Sequence, residues 1–325
     1  MSNFIYSLNA TMPVFFVMVL GYFLRKINLI NDNFAGISDK LVFKCALPVY
    51  VFHDIAKCNL AEDLSPKFAL FCAGSTVAFF FIIWGMSELF IRDKKEIGSF
   101  VQGSFRGSAA VLGIAFAENI YGDAGMVPAM SVASIPLFNI FSVVVLCRSD
   151  ETLLATGENT GGGTVSGRER IIGVLKGIVT NPIIIGIVAG IPFAAFHISF
   201  PTIVEKTLTS VGSLSTPLAL ISIGAGFKGA EALSKYKYTI WATVIKLVAM
   251  PAVFLPLAAF LGFRNEHLIA IMILVGAPST VSGYIMAKNM HNDYVLSSGI
   301  VMVTTLFSSV TITLTIFIMR SLGLI

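Results

Sequence analysis

The second half of this chain repeats the first half. The sequence AENIYGD at 117–123 recurs as AKNMHND at 287–293, an offset of 170. Two prolines of the first half recur at an offset of 169, in the pairs Pro13 with Pro182 and Pro48 with Pro217. In a membrane chain, an internal repeat of this kind predicts a secondary transporter whose site lies between the repeats.

The composition places the chain in a membrane. Hydrophobic residues make up 56% and charged residues only 12%, whereas an average soluble domain has about 25% charged residues. Ten segments approach the ~20 residues that cross a hydrocarbon core of about 30 Å. They lie near 9–27, 36–56, 67–91, 99–119, 125–147, 171–195, 203–227, 238–262, 266–288 and 294–319. We therefore predict an all-α polytopic membrane protein with ten transmembrane helices.

The distribution of basic residues predicts the orientation. Lys and Arg are concentrated in the loops on one side of the ten-segment arrangement, and that side is expected to be cytoplasmic. Both termini then lie outside the cell membrane. Five segments per repeat make the repeats inverted, with residues 1–147 as the first and 171–325 as the second. The polar, glycine-rich stretch 148–170 is predicted to be a cytoplasmic linker.

The fourth and ninth segments are poor hydrophobic helices at matching positions in the two repeats. Small residues, together with a proline in the ninth, predict that both helices are discontinuous. Backbone that leaves the helix at membrane depth must face protein or a water-filled cavity, so these segments predict the binding site. The candidate residues are Ser108, Ala109, Gly113, Ala277, Pro278, Ser279, Thr280 and Ser282. Residues predicted to break or cap the scaffold helices are Pro13, Pro48, Asn181, Pro182 and Pro217.

Three basic residues, Lys44, Arg106 and Lys246, lie inside predicted segments. Each would cost about 2.5–3.5 kcal/mol if it had no partner, and no Asp or Glu lies at comparable depth. We therefore predict an anionic substrate, most simply a carboxylate, bound by Arg106 and Lys246. Two alternatives stay open at this stage. The basic side chains could extend to the cytoplasmic interface, and the Ser and Thr hydroxyls could bond to carbonyls of their own helices instead of a ligand.

Several motifs resemble the auxin efflux carrier family in its compact prokaryotic form. They are FRGSAAVLG at 105–113, APSTVSGYIMAK at 277–288, Leu47-Pro48 and KLVAMP at 246–251. The resemblance implies inverted repeats with crossing helices 4 and 9, and a homodimer that uses helices 1, 2, 6 and 7 as its scaffold. It also implies elevator-type transport of auxin-like or malate-like carboxylates. Where members usually carry Asn in the fourth helix, this chain has Ser108.

Competing functions find less support in the sequence. A membrane-embedded enzyme would need paired acids, a metal cluster or a Ser–His arrangement, and no spacing of that kind is present. A sensor with a transporter fold is the other alternative, and it normally carries an added signalling domain. We predict no enzymatic activity, no cofactor, no metal site and no nucleic-acid partner. The expected partners are a small organic anion and the lipid bilayer.

Overall fold

The structure is a computed structural model that describes residues 2–57, 65–109, 117, 125–150, 176–227, 231 and 234–325, with side chains from residue 12 onward. Gly113 and most of the predicted linker 148–170 lie outside the described residues. The helices are, in chain order, α1 (Ser2–Lys26), α2 (Asp32–Leu41), α3 (Leu47–Ala56), α4 (Pro66–Phe90), α5 (Lys94–Phe105), α6 (Val127–Arg148), α7 (Pro182–Ala195), α8 (Thr202–Ser213), α9 (Ser215–Ala225), α10 (Tyr236–Val244), α11 (Met250–Phe260), α12 (Asn265–Gly276), α13 (Val281–Asn289) and α14 (Tyr294–Ser321).

Five helical stretches among the described residues are long and apolar enough to cross a membrane. They are α4, α6, α14, the stretch from α8 through α9, and the stretch from α10 through α11. The shorter α7 and α12 are also apolar. Together they support a multi-pass membrane protein built from α-helices. The arrangement of ten helices in two inverted repeats stays a prediction.

Two π-helical turns interrupt long helices just before a proline. Val42–Ala46 separates α2 from α3, in which Pro48 is the second residue. Ile245–Ala249 separates α10 from α11, in which Pro251 is the second residue. A proline cannot donate to the carbonyl four residues back, and its ring collides with that carbonyl. The wider π-turn removes the collision, and the second of these turns carries Lys246.

Two glycines allow equivalent helix contacts in the two halves of the chain. α1 packs against α9, and α7 packs against α3. A Cβ on Gly21 would collide with the carbonyl of Ile221, and a Cβ on Gly190 would lie 2.9 Å from the carbonyl oxygen of Phe52. The offset that separates Pro13 from Pro182 also separates Gly21 from Gly190 and Phe52 from Ile221. The repeat seen in the sequence therefore relates two contacts in space.

The centre of the molecule is formed by α5, α12 and α13. Every residue from Glu96 to Phe105 is buried, and so is every residue from Leu268 to Gly276. A helix that is covered on all sides belongs to the interior of a bundle. By contrast, α4 leaves Leu70, Phe81 and Phe90 largely exposed, as expected for a helix that faces lipid.

A polar cluster joins the N-terminal ends of α5, α10 and α14. The Lys235 ammonium contacts the carboxylates of Glu96 and Asp293, and Asp293 caps α14 by accepting from Leu296 N at 2.9 Å. Burial lowers the pKa of Lys235, but the hydrogen bonds to the two carboxylates outweigh it and hold that pKa above its usual range. The ammonium therefore stays charged and ties the three helix ends together.

Candidate functional site at a helix crossing

Two central helices end in the interior, and the extended segments that follow them meet. α5 ends at Phe105, and residues 106–108 continue as extended backbone. α12 ends at Gly276, and residues 277–280 are extended before α13 begins. Ala277 precedes Pro278 and has ψ 146°, because a proline disfavours the helical conformation of the residue before it. We refer to residues 106–108 and 277–280 together as the crossing.

The two segments of the crossing are hydrogen-bonded to each other. Ser108 N donates to the Pro278 carbonyl at 2.8 Å, and Gly107 pairs with Ser279 in antiparallel fashion. The offset that relates 117–123 to 287–293 also relates Ser108 to Pro278, so Ser108 binds its own counterpart in the repeat. Each segment thereby satisfies backbone groups that the other leaves without a helical partner.

The Lys246 ammonium lies directly beside the crossing and bridges the ends of two helices. Its Nζ donates to the Phe105 carbonyl at 3.1 Å and to the Leu274 carbonyl at 3.4 Å. It also lies 6.0 Å from the centre of the Phe79 ring. The side chain is 0% exposed, so it does not reach the membrane surface.

These contacts follow from the polarity of helix ends. The last carbonyls of a helix have no partner within it and carry partial negative charge. Lys246 supplies a positive charge to the C-terminal ends of α5 and α12 at once. Gly107 leaves the necessary space, because a Cβ there would lie 3.1 Å from Lys246 Nζ and 3.1 Å from the Ala277 carbonyl oxygen.

Arg106 is also buried at the crossing, but its contacts are weak. Its Nη1 lies 3.1 Å from the Met286 sulfur and 3.4 Å from Ser142 Oγ. A thioether is a weak acceptor, and a guanidinium has five N–H donors. Within the described part of the chain, no carboxylate lies within ion-pair distance of Arg106. Among the described residues, these two weak contacts are the hydrogen bonds of the guanidinium.

Hydroxyl groups surround the start of α13. Thr280 Oγ1 and Ser282 Oγ lie 3.0 Å apart, and both residues are only partly buried. Ser108 is also partly buried, whereas Ala109 and Ala277 are fully buried. Thr280 is the N-cap residue of α13, yet its side chain makes no capping bond. The first N–H groups of a helix carry partial positive charge, so this end of α13 combines donors with accessible hydroxyls.

Other predicted residues act away from the crossing. The Asn181 side chain caps α7 by accepting from Ile183 N at 2.9 Å, with Pro182 as the first helical residue. Pro217 follows the turn at Leu214 that separates α8 from α9. Pro13 lies inside α1. Pro13 does not break its helix, since α1 continues to Lys26. The scaffold role of these residues stays a prediction. Lys44 is exposed.

Several residues of the site were not predicted from the sequence. Thr304 accepts from Ser279 N at 3.1 Å through its Oγ1, and Ser142 and Met286 contact Arg106. They belong to α14, α6 and α13. Nothing in the local sequence of Thr304 or Ser142 points to the crossing, whereas Met286 lies in the motif at 277–288. Gly107 did carry a signal, because it belongs to the small-residue stretch of the fourth segment.

Comparison with known proteins identifies the family. The model of a family described as "Membrane transport protein" matches residues 6–316. The chain belongs to this family. It is the auxin efflux carrier family that the motifs around the two interruptions indicated, so that prediction is confirmed.

Curated relatives of the chain are full-length matches at low identity. An uncharacterized transporter of Methanocaldococcus jannaschii is 21% identical and covers 94% of this chain and 97% of its own length. The uncharacterized transporter YfdV of Escherichia coli K12 is 25% identical and covers 86% and 87%. A Rhizobium meliloti protein named "Putative malonate transporter" is 20% identical and covers 95% of each chain. The family and these relatives are named for transport, which favours a transporter over an enzyme.

Proposed function

We propose that this protein is a secondary transporter of small organic anions, with carboxylates as the substrate class. The observation that carries the proposal is Arg106, a buried guanidinium at a helix crossing whose described contacts are a thioether and one distant hydroxyl. A buried cation is costly unless it is paired, and a carboxylate would complete its hydrogen bonds in a bidentate arrangement. Arg106 is thus the residue that we assign to the substrate.

Lys246 has a different role in this proposal. The sequence grouped it with Arg106 as a substrate ligand, but its donors are directed at the Phe105 and Leu274 carbonyls. We assign it as the charge that holds the ends of α5 and α12 together. The partly buried hydroxyls of Ser108, Thr280 and Ser282 are assigned to orient the bound anion, together with the N-terminus of α13.

The transport step is proposed to be alternating access of the elevator type in a homodimer. The glycine contacts of α1 with α9 and of α7 with α3 would form the rigid scaffold, while the crossing belongs to the moving part. Broken helices that meet at a central site suit alternating access better than a continuous pore. The proposed dimer surface is formed by the predicted transmembrane helices 1, 2, 6 and 7. In the structure these correspond to α1, to α2 with α3, to α7, and to α8 with α9. Large apolar side chains exposed on this surface include Phe16, Leu20, Phe23, Val188 and Ile203.

The relative from Rhizobium meliloti whose name contains malonate suggests a first substrate to test. Purified protein should be screened for binding of malonate, malate and indole-3-acetate, and the best ligand carried into variants. For Arg106→Ala we expect affinity to fall roughly ten- to a hundredfold, since a hydrogen bond to a charged group contributes about 1.5–3 kcal/mol. Arg106→Lys should bind more weakly than the natural protein because Lys lacks the planar fork.

Lys44→Ala is the matched control, because Lys44 is a basic residue of a predicted span that is exposed in the structure. It should leave affinity unchanged. Size-exclusion chromatography will establish that each variant is folded. A folded Arg106→Ala protein that binds carboxylates with unchanged affinity would contradict the proposal. Flux into liposomes, with saturation and counterflow, distinguishes a transporter from a channel or a sensor.

The orientation can be tested separately. Single cysteines introduced at Ser2 and Thr160 in a cysteine-free background should be labelled from opposite sides of the membrane. Labelling of both from the same side would contradict the ten-segment topology and the inverted repeat.

A further inference from the structure

A cavity of about 330 Å³ lies on the outer surface of α4, beside the end of α6. Its lining residues are Phe81, Trp84, Gly85, Glu88 and Arg148. Glu88 lies in the last turn of α4, and Arg148 is the last residue of α6. Both helices are apolar and long enough to span the membrane. Because it lies at the ends of two such helices, we expect the cavity to lie where the hydrocarbon core gives way to the polar headgroups.

The wall of the cavity is aromatic. The rings of Phe81 and Trp84 are stacked with centroids 6.3 Å apart, and Phe81 also packs edge-on against Phe141. Trp84 Nε1 donates to Glu88 Oε1 at 3.2 Å. Tryptophan at this depth is characteristic of the membrane–water boundary, where an apolar ring meets a polar environment. The indole N–H fixes the position of the Glu88 carboxylate.

The two charged residues of the cavity have opposite signs but are not paired with each other. In the described part of the chain, neither Glu88 nor Arg148 has an ion-pair partner. Glu88 retains a carboxylate oxygen that accepts nothing from Trp84. A ligand that fits between them must present an anionic group to Arg148 and a hydrogen-bonding cationic group to Glu88.

We propose that this cavity binds the headgroup of a zwitterionic aminophospholipid, such as phosphatidylethanolamine. The phosphate would pair with Arg148 and the primary ammonium with Glu88, while the acyl chains continue along the exposed apolar surface of α4. A lipid is favoured over a soluble solute because Phe81 and Ile82, which precede Glu88 and lie closer to the middle of α4, are 54% and 56% exposed. The acyl chains attached to the headgroup would cover this apolar surface.

Gly85 offers a way to close the cavity without altering its charges. A Cβ on Gly85 meets nothing within 4 Å, and the same is true of Gly74 on the same helix. These glycines are separated by about three helical turns, so they share a helix face. Gly85→Leu fills the cavity, and Gly74→Leu is the matched control because Gly74 does not line it.

The experiment measures lipid retention by native mass spectrometry of the purified full chain. Phosphatidylethanolamine, phosphatidylcholine and phosphatidylglycerol with identical acyl chains are offered in turn. We expect phosphatidylethanolamine to bind roughly tenfold more tightly than either of the others, the effect of one charge-assisted hydrogen bond. Gly85→Leu should abolish that preference, and Gly74→Leu should keep it.

Tryptophan emission supplies a second, local measurement. The chain has two tryptophans, so a Trp241→Phe protein reports on Trp84 alone. Phosphatidylethanolamine should shift its emission, and the added substitution Gly85→Leu should remove the shift. Equal retention of phosphatidylethanolamine and phosphatidylcholine would overturn the proposal. So would a preference that survives in folded Gly85→Leu protein.

Discussion

Arg106 and Lys246 are both buried cations at the same crossing, but their contacts with the described residues differ in strength. The Lys246 ammonium donates to two helix-end carbonyls and faces an aromatic ring. The Arg106 guanidinium contacts a sulfur and a distant hydroxyl. An ammonium is a compact point charge that carbonyls can surround, whereas a guanidinium is a planar fork that matches a carboxylate.

This difference in contacts suggests that Lys246 stabilises the fold and that Arg106 recognises the substrate. A cation whose acceptors come from the protein contributes to the fold whether or not a ligand is bound. A cation without strong acceptors is retained at a cost in stability, and that cost is explained when a ligand supplies the acceptors. We therefore expect changes at Lys246 to affect stability first, and changes at Arg106 to affect binding first.

Lys246→Met is expected to have the largest effect of the variants that test this comparison. Methionine replaces the side chain up to Cε but lacks the ammonium, which leaves the Phe105 and Leu274 carbonyls without this donor. An unsatisfied buried acceptor costs about 1–3 kcal/mol, so the variant should lose a large part of its thermal stability. The melting temperature of purified protein checks this, with Lys44→Met as the control. Unchanged stability combined with lost carboxylate binding would exchange the roles of the two cations.

Pro278→Ala tests whether the break at the crossing is needed at all. Alanine restores an N–H and removes the ring that excludes a continuous helix, so α12 and α13 can join. We expect transport in liposomes to fall roughly tenfold or more, which corresponds to about 1.4 kcal/mol. Insertion and size-exclusion behaviour should be preserved. Full transport by a well-folded variant would show that the interruption serves packing alone.

Gly107→Ala tests whether the Lys246 ammonium needs the space that Gly107 leaves beside it. The added Cβ would lie 3.1 Å from both Lys246 Nζ and the Ala277 carbonyl oxygen. Displacement of the ammonium should cost about 1–3 kcal/mol, the usual range for overpacking. Gly74→Ala is the matched control, and should be neutral or stabilising by about 0.4–1 kcal/mol. Equal melting temperatures for the two variants would contradict the crowding at the crossing.

Ser142→Ala should have the smallest effect. Its Oγ lies 3.4 Å from Arg106 Nη1, a distance at which a hydrogen bond is weak. We expect carboxylate affinity to change by no more than about twofold, or about 0.5 kcal/mol. A loss as large as that of Arg106→Ala would show that Ser142 belongs to the substrate contacts and that the guanidinium is held by it.

Much of the architecture could be predicted from local sequence. Apolar segments of sufficient length indicate membrane helices, and Pro278 with its small neighbours indicates the interruption in the ninth segment. Asn181 followed by Pro182 predicts a helix start, because the side chain caps the N–H groups and proline fits the first turn. The motifs around the two interruptions also indicated the family, which the comparisons confirm.

The sequence by itself indicated that this chain is a helical membrane protein, that it carries an internal repeat, and that basic residues lie within its apolar segments. It could not distinguish Arg106 from Lys246, since both are basic residues in apolar segments. Only the tertiary structure brings the Phe105 and Leu274 carbonyls, which belong to different halves of the chain, to one ammonium. The physical reason is that the last carbonyls of a helix have no partner within it. The side chain that donates to them can come from a distant part of the chain, so the local sequence does not identify it.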